Sequence, residues 1–149
     1  MNTTLPVIFG ADHAGLPLKQ ALIAQLQRRG ISCEDQGTDS PESTDYPTFA
    51  ARTCRMVLET GSFGVLICGT GLGMSMTANR FGHIRAALCS NEYMARMARA
   101  HNNANVLCLG SRVIGEDLAL SILDVFLKTE FEGGRHQRRI DMIDAVPSP

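Results

Sequence analysis

Apolar runs of strand length alternate with amphipathic stretches of helical length along the whole chain, and no other feature constrains the fold as much. The apolar runs are residues 5–10, 31–35, 64–68, 84–89 and 106–109. The clearest, Gly64-Val65-Leu66-Ile67-Cys68, has no polar residue to turn toward water. Continuous apolar character marks a strand covered on both faces. Between the runs, apolar residues recur three and four apart. Leu18, Ala21, Leu22 and Leu26 form one such stripe, with Pro17 suited to a first helical turn and Gly30 to the stop. Asp45-Tyr46-Pro47 opens a second helix, closed by Gly61, whose Phe49, Ala50, Thr53, Val57 and Leu58 should face a core. A third is expected to run to about Arg80. A fourth, from Asn91 to His101, has Met94, Met97, Ala98 and His101 on one face. A fifth, from Glu116 to Lys128, turns Leu118, Ile122, Leu123 and Phe126 inward. A last helical piece, about 133–145, carries Arg135 and Arg139.

Such alternation implies right-handed crossovers and a mostly parallel sheet. The expected fold is α/β: a Rossmann-like, doubly wound, five-stranded parallel sheet with helices on both faces, in one domain spanning 1–149. The 44% hydrophobic and 19% charged composition can build such a core and excludes wholesale disorder. With 14 basic and 15 acidic residues the net charge is −1, without the basic surplus of a nucleic-acid binder. No apolar run approaches the ~20 residues of a membrane span. Met1-Asn2-Thr3-Thr4-Leu5-Pro6 lacks the basic-then-apolar pattern of a secretory signal. No membrane partner is expected, therefore, and the location is expected to be cytoplasmic. Cys33, Cys54, Cys68, Cys89 and Cys108 are widely spaced with no C-x-x-C pair. They suit reduced, mostly buried thiols rather than a zinc ribbon or disulfide framework. The closing Val146-Pro147-Ser148-Pro149 is expected to fray.

In an open parallel sheet, ligands bind at the carboxyl ends of the strands. The third strand runs into Gly69-Thr70-Gly71-Leu72-Gly73, three glycines in five residues ahead of a helix. Open backbone N–H groups there make a nest for a phosphate or a developing oxyanion. The loop lacks the Gly-Lys-Ser/Thr of a Walker motif. It also lacks the dinucleotide fingerprint, because Met74 stands where a third small residue would be needed, and the next strand ends in Ser90 rather than an acid. A bare strand-to-helix turn is the alternative reading. Cys68 precedes the nest, where a thiol can serve as base or nucleophile, or be no more than a buried strand residue. Asp12 and His13 stand where the first strand exits; the plain alternative is a capping Asp and a solvated His. His101 suits a structural role as well as a catalytic one. Arg135 and Arg139, four apart, can share a helix face and clamp a phosphate, or pair with Glu132 and Asp141 on a solvated face. His83 and His136 receive no role.

Taken together, the segments Gly10-Ala11-Asp12-His13-Ala14-Gly15, Thr44-Asp45-Tyr46-Pro47, Ile67-Cys68-Gly69-Thr70-Gly71-Leu72-Gly73-Met74-Ser75, Ala78-Asn79-Arg80, His101-Asn102-Asn103-Ala104-Asn105-Val106, Gly110-Ser111-Arg112 and Glu132-Gly133-Gly134-Arg135-His136-Gln137-Arg138-Arg139 span nearly the full chain. As a set they resemble the type B ribose-5-phosphate isomerases, in the sugar-phosphate isomerase family that also holds the galactose-6-phosphate and allose-6-phosphate isomerases. The resemblance implies reversible interconversion of ribose 5-phosphate and ribulose 5-phosphate through an enediolate, as a step of pentose phosphate metabolism. It implies that Cys68 takes the carbon-2 proton, since Met74 stands where some relatives carry a Glu for that role. The N–H groups of Gly69, Gly71 and Gly73 would hold the oxyanion, with Ser75 beside them, and Thr70 could relay a proton between the oxygens. His101 would open the ring, assisted by Asp12. Tyr46 and Asn102 would meet sugar hydroxyls, and His13, Arg112, Arg135 and Arg139 would surround the phosphate. No metal and no cofactor are implied. A homodimer is, with sites built from both subunits and the 133–145 piece at the interface; a dimer of dimers stays open.

Two rivals stand beside this reading. One is an isomerase of a six-carbon sugar phosphate such as allose 6-phosphate, which the same Cys68, Thr70 and His101 would serve. The other is a non-catalytic phosphate-binding module on the same fold. A pure binder has no need for Cys68 and His101 as an acid/base pair.

Overall fold

The computed structural model of the protein describes residues 4–147. Met1, Asn2 and Thr3 of the opening segment, and Ser148 and Pro149 of the tail expected to fray, lie outside them. Five strands, β1 (Val7–Ala11), β2 (Cys33–Asp35), β3 (Gly64–Cys68), β4 (Ala86–Leu88) and β5 (Val106–Gly110), alternate with helices. The helices are α1 (Leu16–Arg28), α2 (Tyr46–Thr60), α3 (Leu72–Ala78), α4 (Glu92–Ala100), α5 (Glu116–Lys128) and α6 (Arg135–Asp144). The sheet order is β2-β1-β3-β5-β4 and every pairing is parallel. This is the doubly wound Rossmann-like sheet that the alternation implies.

β1, β3 and β5 are buried along their whole length, because helices cover both faces. On one face Phe9, Val65, Ile67, Leu107 and Leu109 meet Leu18, Leu22 and Leu26 of α1, Ala95 and Ala98 of α4, and Ile122, Leu123 and Phe126 of α5. On the other, Ile8, Leu66, Cys68, Val106 and Cys108 meet Ala50, Cys54 and Val57 of α2 and Met74 and Ala78 of α3. Residues alternate between the two cores along each strand, the period-2 rule applied to a sheet with no wet side.

Several boundaries differ from expectation, each for a local reason. β4 begins at Ala86 rather than residue 84, because side-chain amides take the preceding backbone groups. Arg85 N–H donates to Asn105 Oδ1 at 2.8 Å and Ala86 N–H to Asn79 Oδ1 at 2.8 Å. Asn79 also returns a bond to the Ala86 carbonyl at 3.0 Å, so α3 ends at Ala78 and not at Arg80. β2 is an edge strand and pairs only from Cys33 to Asp35. β1 is shifted to Val7–Ala11, with Leu5 exposed. Leu58, Met94 and Leu118, expected to face a core, stand at the solvent margin instead. The inward faces of α2, α4 and α5 are centred instead on Ala50, Cys54 and Val57, on Ala95 and Ala98, and on Ile122, Leu123 and Phe126. Among the described residues no helix is long and apolar enough to cross a membrane.

Candidate active site

Four segments converge at the carboxyl edge of the sheet. β3 delivers Cys68, 5% exposed, and the chain then enters the glycine loop. The Gly71 N–H points back at Cys68 Sγ, 3.1 Å away. Gly71 can do this because its φ is +79°. A Cβ there would stand 2.5 Å from Leu88 Cδ1 and 3.0 Å from the Leu109 carbonyl carbon. Thr70 Oγ1 accepts the Leu72 N–H at 3.2 Å, and Ser75 Oγ donates to the Leu72 carbonyl at 2.8 Å, which fixes the first turn of α3. Gly73 lies beneath the Tyr46 ring at the start of α2, with no room for a side chain. The Arg112 guanidinium lies over Gly69, and Arg112 N–H donates to the Gly69 carbonyl at 2.9 Å.

The exit of β1 closes the other side. Asp12, 6% exposed, takes the Gly15 N–H on Oδ1 at 3.1 Å. It stabilises a turn; the position that caps α1 belongs to Gly15. His13 Nδ1 accepts the Thr44 N–H at 3.1 Å, and His13 N–H donates to Thr44 Oγ1 at 3.2 Å. Thr44, quoted above only as part of a motif, therefore ties His13 to the segment that leads into Tyr46 and α2. Ser111 Oγ donates to the Ala14 carbonyl at 2.8 Å and joins the β1 and β5 exits.

The cysteines separate by environment. Burial pushes the Cys54 thiol up to about 12 and the Cys33 and Cys89 thiols up to about 11. It also raises Cys108 well above the ordinary thiol value, with the neighbouring cysteines adding to the effect. These four are thiols at neutral pH. Cys68 differs from them in having a glycine loop behind it and the Gly71 amide aimed at its sulfur.

His101, Asn102, Arg135 and Arg139 are elsewhere. A helix between parallel strands runs antiparallel to them, so α4 carries His101, the residue after its last turn, to the amino edge. The next strand begins at Val106, level with Gly64, whereas Cys68 is level with Gly110. One strand length, about 13 Å, separates the two ends. The amino-edge loop is firmly built. Arg85 Nε donates to the carbonyls of Asn102 and Asn103 at 3.1 and 3.2 Å, and its Nη1 reaches Asp144 of α6 at 2.9 Å. Buried Arg99 donates to Asn103 Oδ1 and the Ala104 carbonyl at 2.8 and 2.6 Å, and its guanidinium covers the Phe63 ring at 4.5 Å. Asn103 adopts a left-handed φ of +43° within this clamp.

Arg135 and Arg139 do share an exposed face of α6, as their spacing implies. The local partners weighed for them are engaged differently: Glu132 faces His101 and His136, and Asp141 accepts from Gln137 at 2.8 Å. Among the described residues neither arginine forms an ion pair. His136, given no role from sequence, stacks on His101 with centroids 4.1 Å apart. Glu132 lies in the turn ahead of α6, outside the helix, so no helical spacing in the sequence signals that contact. A concavity of about 640 Å³ at the amino edge is lined by Arg85, Asn102, Asp144 and their neighbours, and one of about 180 Å³ by Thr70, Ser90 and Gly110. Cys68 lines neither.

Fold and edge together define a doubly wound α/β protein with a thiol facing a glycine-loop amide at the carboxyl edge of its sheet, the edge where Asp12, His13 and Arg112 also stand. The model of the ribose/galactose isomerase family matches residues 7–143, and the chain belongs to that family. It is 46% identical to ribose-5-phosphate isomerase B of Escherichia coli over 142 residues, 94% of this chain and 95% of the relative. A ribose 5-phosphate isomerase from Thermotoga maritima superposes with a TM-score of 0.93 at 51% identity, covering 96% of this chain and 99% of that one. The ribose-5-phosphate isomerase B of Mycoplasma genitalium, solved with bound ribulose 5-phosphate, gives 0.92 at 41% identity, with 96% of each chain covered.

Proposed function

We propose that this protein is a ribose-5-phosphate isomerase, interconverting ribose 5-phosphate and ribulose 5-phosphate through an enediolate. The observation that carries this is Cys68 Sγ receiving the Gly71 amide at the mouth of the glycine nest. Relatives named for this reaction, one of them solved with ribulose 5-phosphate, support the choice of substrate. Cys68 moves the proton between carbons 2 and 1. The N–H groups of Gly69, Gly71 and Gly73 hold the enediolate oxygen, that of Gly71 turning to it from Cys68 Sγ as the thiol takes up the carbon-2 proton, and Thr70 relays a proton between the two oxygens. Ser75 fixes the loop, and Tyr46 and Asn102 meet the sugar hydroxyls. His101 takes the proton of the carbon-1 hydroxyl as the ring opens, and Asp12 stands at the ring oxygen. His13, Arg112, Arg135 and Arg139 hold the phosphate. Backbone dipoles supply the electrophilic stabilisation, so no step calls for a metal or a redox cofactor.

His101, Asn102 and the two arginines join Cys68 only if a second copy brings its amino edge to the first copy's carboxyl edge. We propose a homodimer in which each site is shared, with α6 at the interface. Five free cysteines, four of them buried, suit a reducing, cytoplasmic setting and a role in pentose phosphate metabolism.

The test is turnover of ribose 5-phosphate by chelator-treated protein, with Cys68→Ala and allose 6-phosphate in parallel. Wild type should produce ketose from ribose 5-phosphate. Cys68→Ala should lose about 10²–10⁴-fold in rate, the span of a general base, while still binding sugar phosphate. Faster conversion of allose 6-phosphate would move the assignment to six-carbon sugars. Binding without turnover of either sugar would leave a phosphate-binding module.

A further inference from the structure

At the amino edge two imidazoles and one carboxylate meet, away from Cys68. His101 and His136 stack at 4.1 Å with planes 12° apart. Glu132 Oε2 lies 3.7 Å from His101 Nε2 and 3.5 Å from His136 Nε2. His136 is buried at 7% exposure, and Glu132 is open to solvent. Backbone geometry builds this cluster. Glu132 N–H donates to the Ala100 carbonyl at 3.0 Å, one residue before His101. Gly133 and Gly134, at φ +67° and +56°, then turn the chain so that α6 starts over the end of α4. Such φ values come at little steric cost only to glycine.

All three side chains could in principle ligate a metal, their nearest donor atoms lying within 4.8 Å of one another. A bound ion lies in the plane of each imidazole that holds it, however. Two nearly parallel planes offer no common point near both nitrogens, so the cluster as folded is a poor cage. It suits a proton better. Two stacked imidazolium rings repel, while a carboxylate facing both favours one positive charge on the pair. Withdrawal from water, then His101 and Arg135, hold His136 below the ordinary histidine range; Glu132 opposes this and Arg139 adds to it. The charged groups facing the pair are thus Glu132 from the α5–α6 turn and Arg135 and Arg139 from α6. From α4, Arg99 turns away to Phe63, and Arg85 at the β4 entrance turns to Asp144.

We infer that Glu132 and His136 are positioning residues for ring opening: stacked, neutral His136 fixes the plane of His101, and Glu132 stabilises the positive charge when His101 takes a proton. In that step the carbon-1 hydroxyl loses its proton to His101. The bond from carbon 1 to the ring oxygen breaks with its electron pair passing to that oxygen, which takes up a proton, and carbon 1 becomes the aldehyde carbonyl. Nothing is oxidised or reduced. This inference rests on the isomerase reading and on His101 as its ring-opening residue.

Ribulose 5-phosphate supplies the control. Its carbon-5 oxygen carries the phosphate, so it forms no five-membered ring, and exchange of its carbon-1 proton with deuterated solvent bypasses ring opening. In the full-length assembled protein, Glu132→Gln and His136→Ala should each lower kcat on ribose 5-phosphate about tenfold, a fraction of the 10²–10⁴ a general acid or base supplies. Exchange from ribulose 5-phosphate should stay within about twofold of wild type. His136→Phe, which keeps a stacked ring, should recover most of the loss. The acid limb of the ribose 5-phosphate profile should move to lower pH in Glu132→Gln. Independently of turnover, the His136 ring resonance followed by NMR should titrate lower in Glu132→Gln and higher in His101→Asn. Equal losses in both assays, no loss in either, or failure of His136→Phe to recover activity overturns the inference. So does a His136 titration unmoved by either substitution. A wild type inactive on both sugars sinks the isomerase reading instead, and the titration still decides whether the pair is coupled.

Discussion

Replacing Gly71 with alanine tests whether the nest and the thiol are one device. The substitution meets two obstacles of known size. A φ of +79° is strained for any residue with a Cβ, which costs about 1–2 kcal/mol. The added methyl would stand 2.5 Å from Leu88 Cδ1 and 3.0 Å from the Leu109 carbonyl carbon, the latter backbone in a buried strand. Relieving such overpacking costs about 1–3 kcal/mol. The sum is about 2–5 kcal/mol, a large share of the roughly 5–15 kcal/mol that holds a domain together. For a chain of this size that corresponds to a fall in Tm of roughly 4–20 °C. Relief by a backbone shift also moves the Gly71 N–H away from Cys68 Sγ. Loss of one such donor lowers kcat by about 10²–10³. Urea titration and thermal melts at matched protein concentration measure the first effect. Turnover, with the alkylation rate of Cys68 alongside, measures the second. A Gly71→Ala protein with unchanged stability would refute the steric reasoning. Full turnover and unaltered alkylation in a destabilised protein would refute the link between nest and thiol.

Other consequences follow from the same geometry. Arg135→Ala and Arg139→Ala should mainly raise KM for ribose 5-phosphate and leave Tm within about 2 °C, because among the described residues neither arginine forms an ion pair and surface changes of that kind are worth under about 0.5 kcal/mol. A loss confined to kcat would remove them from phosphate binding. Lys19 is 1% exposed, pairs with Asp35 at 2.7 Å and donates to the Thr38 carbonyl at 2.5 Å. Lys19→Met should destabilise by about 1–3 kcal/mol, the cost of orphaning that carbonyl, since water can still reach half-exposed Asp35. An unchanged urea midpoint would mean that the pair contributes nothing. The fold favours neutral His136, so its contribution to stability is complete above the unfolded histidine value near 6.5 and is lost as pH falls through that value toward the lower folded one. Urea midpoints should therefore fall between about pH 7 and 5, and His136→Phe should flatten that slope; an equal slope in both proteins would contradict the assignment.

Much of this molecule was legible in single residues. Pro17, Gly30, Pro47 and Gly61 punctuate α1 and α2 where expected, and the run 64–68 is the central strand. The Gly69–Gly73 segment turns the chain from β3 into α3, as three glycines after a buried strand imply. Boundaries were less legible where long-range bonds decide them. Asn79 ends α3 and starts β4 through contacts seven residues away, and nothing in its own neighbourhood signals that. The outward positions of Leu58, Met94 and Leu118 depend on which face of each helix the rest of the chain covers, which no single helix records.

The sequence by itself determined the class of fold and the chemical inventory. Strand periodicity, glycine punctuation and motif order are local properties, written in consecutive residues. The tertiary structure alone decided the grouping. It joined Cys68 to Asp12, His13, Tyr46 and Arg112 at one edge, and gathered His101, Asn102, Glu132 and His136 at the other. The physical reason is the antiparallel run of each crossover helix: residues at a strand's end and residues at the following helix's end lie at opposite edges of the sheet, carboxyl and amino, however complete the set looks when read along the chain.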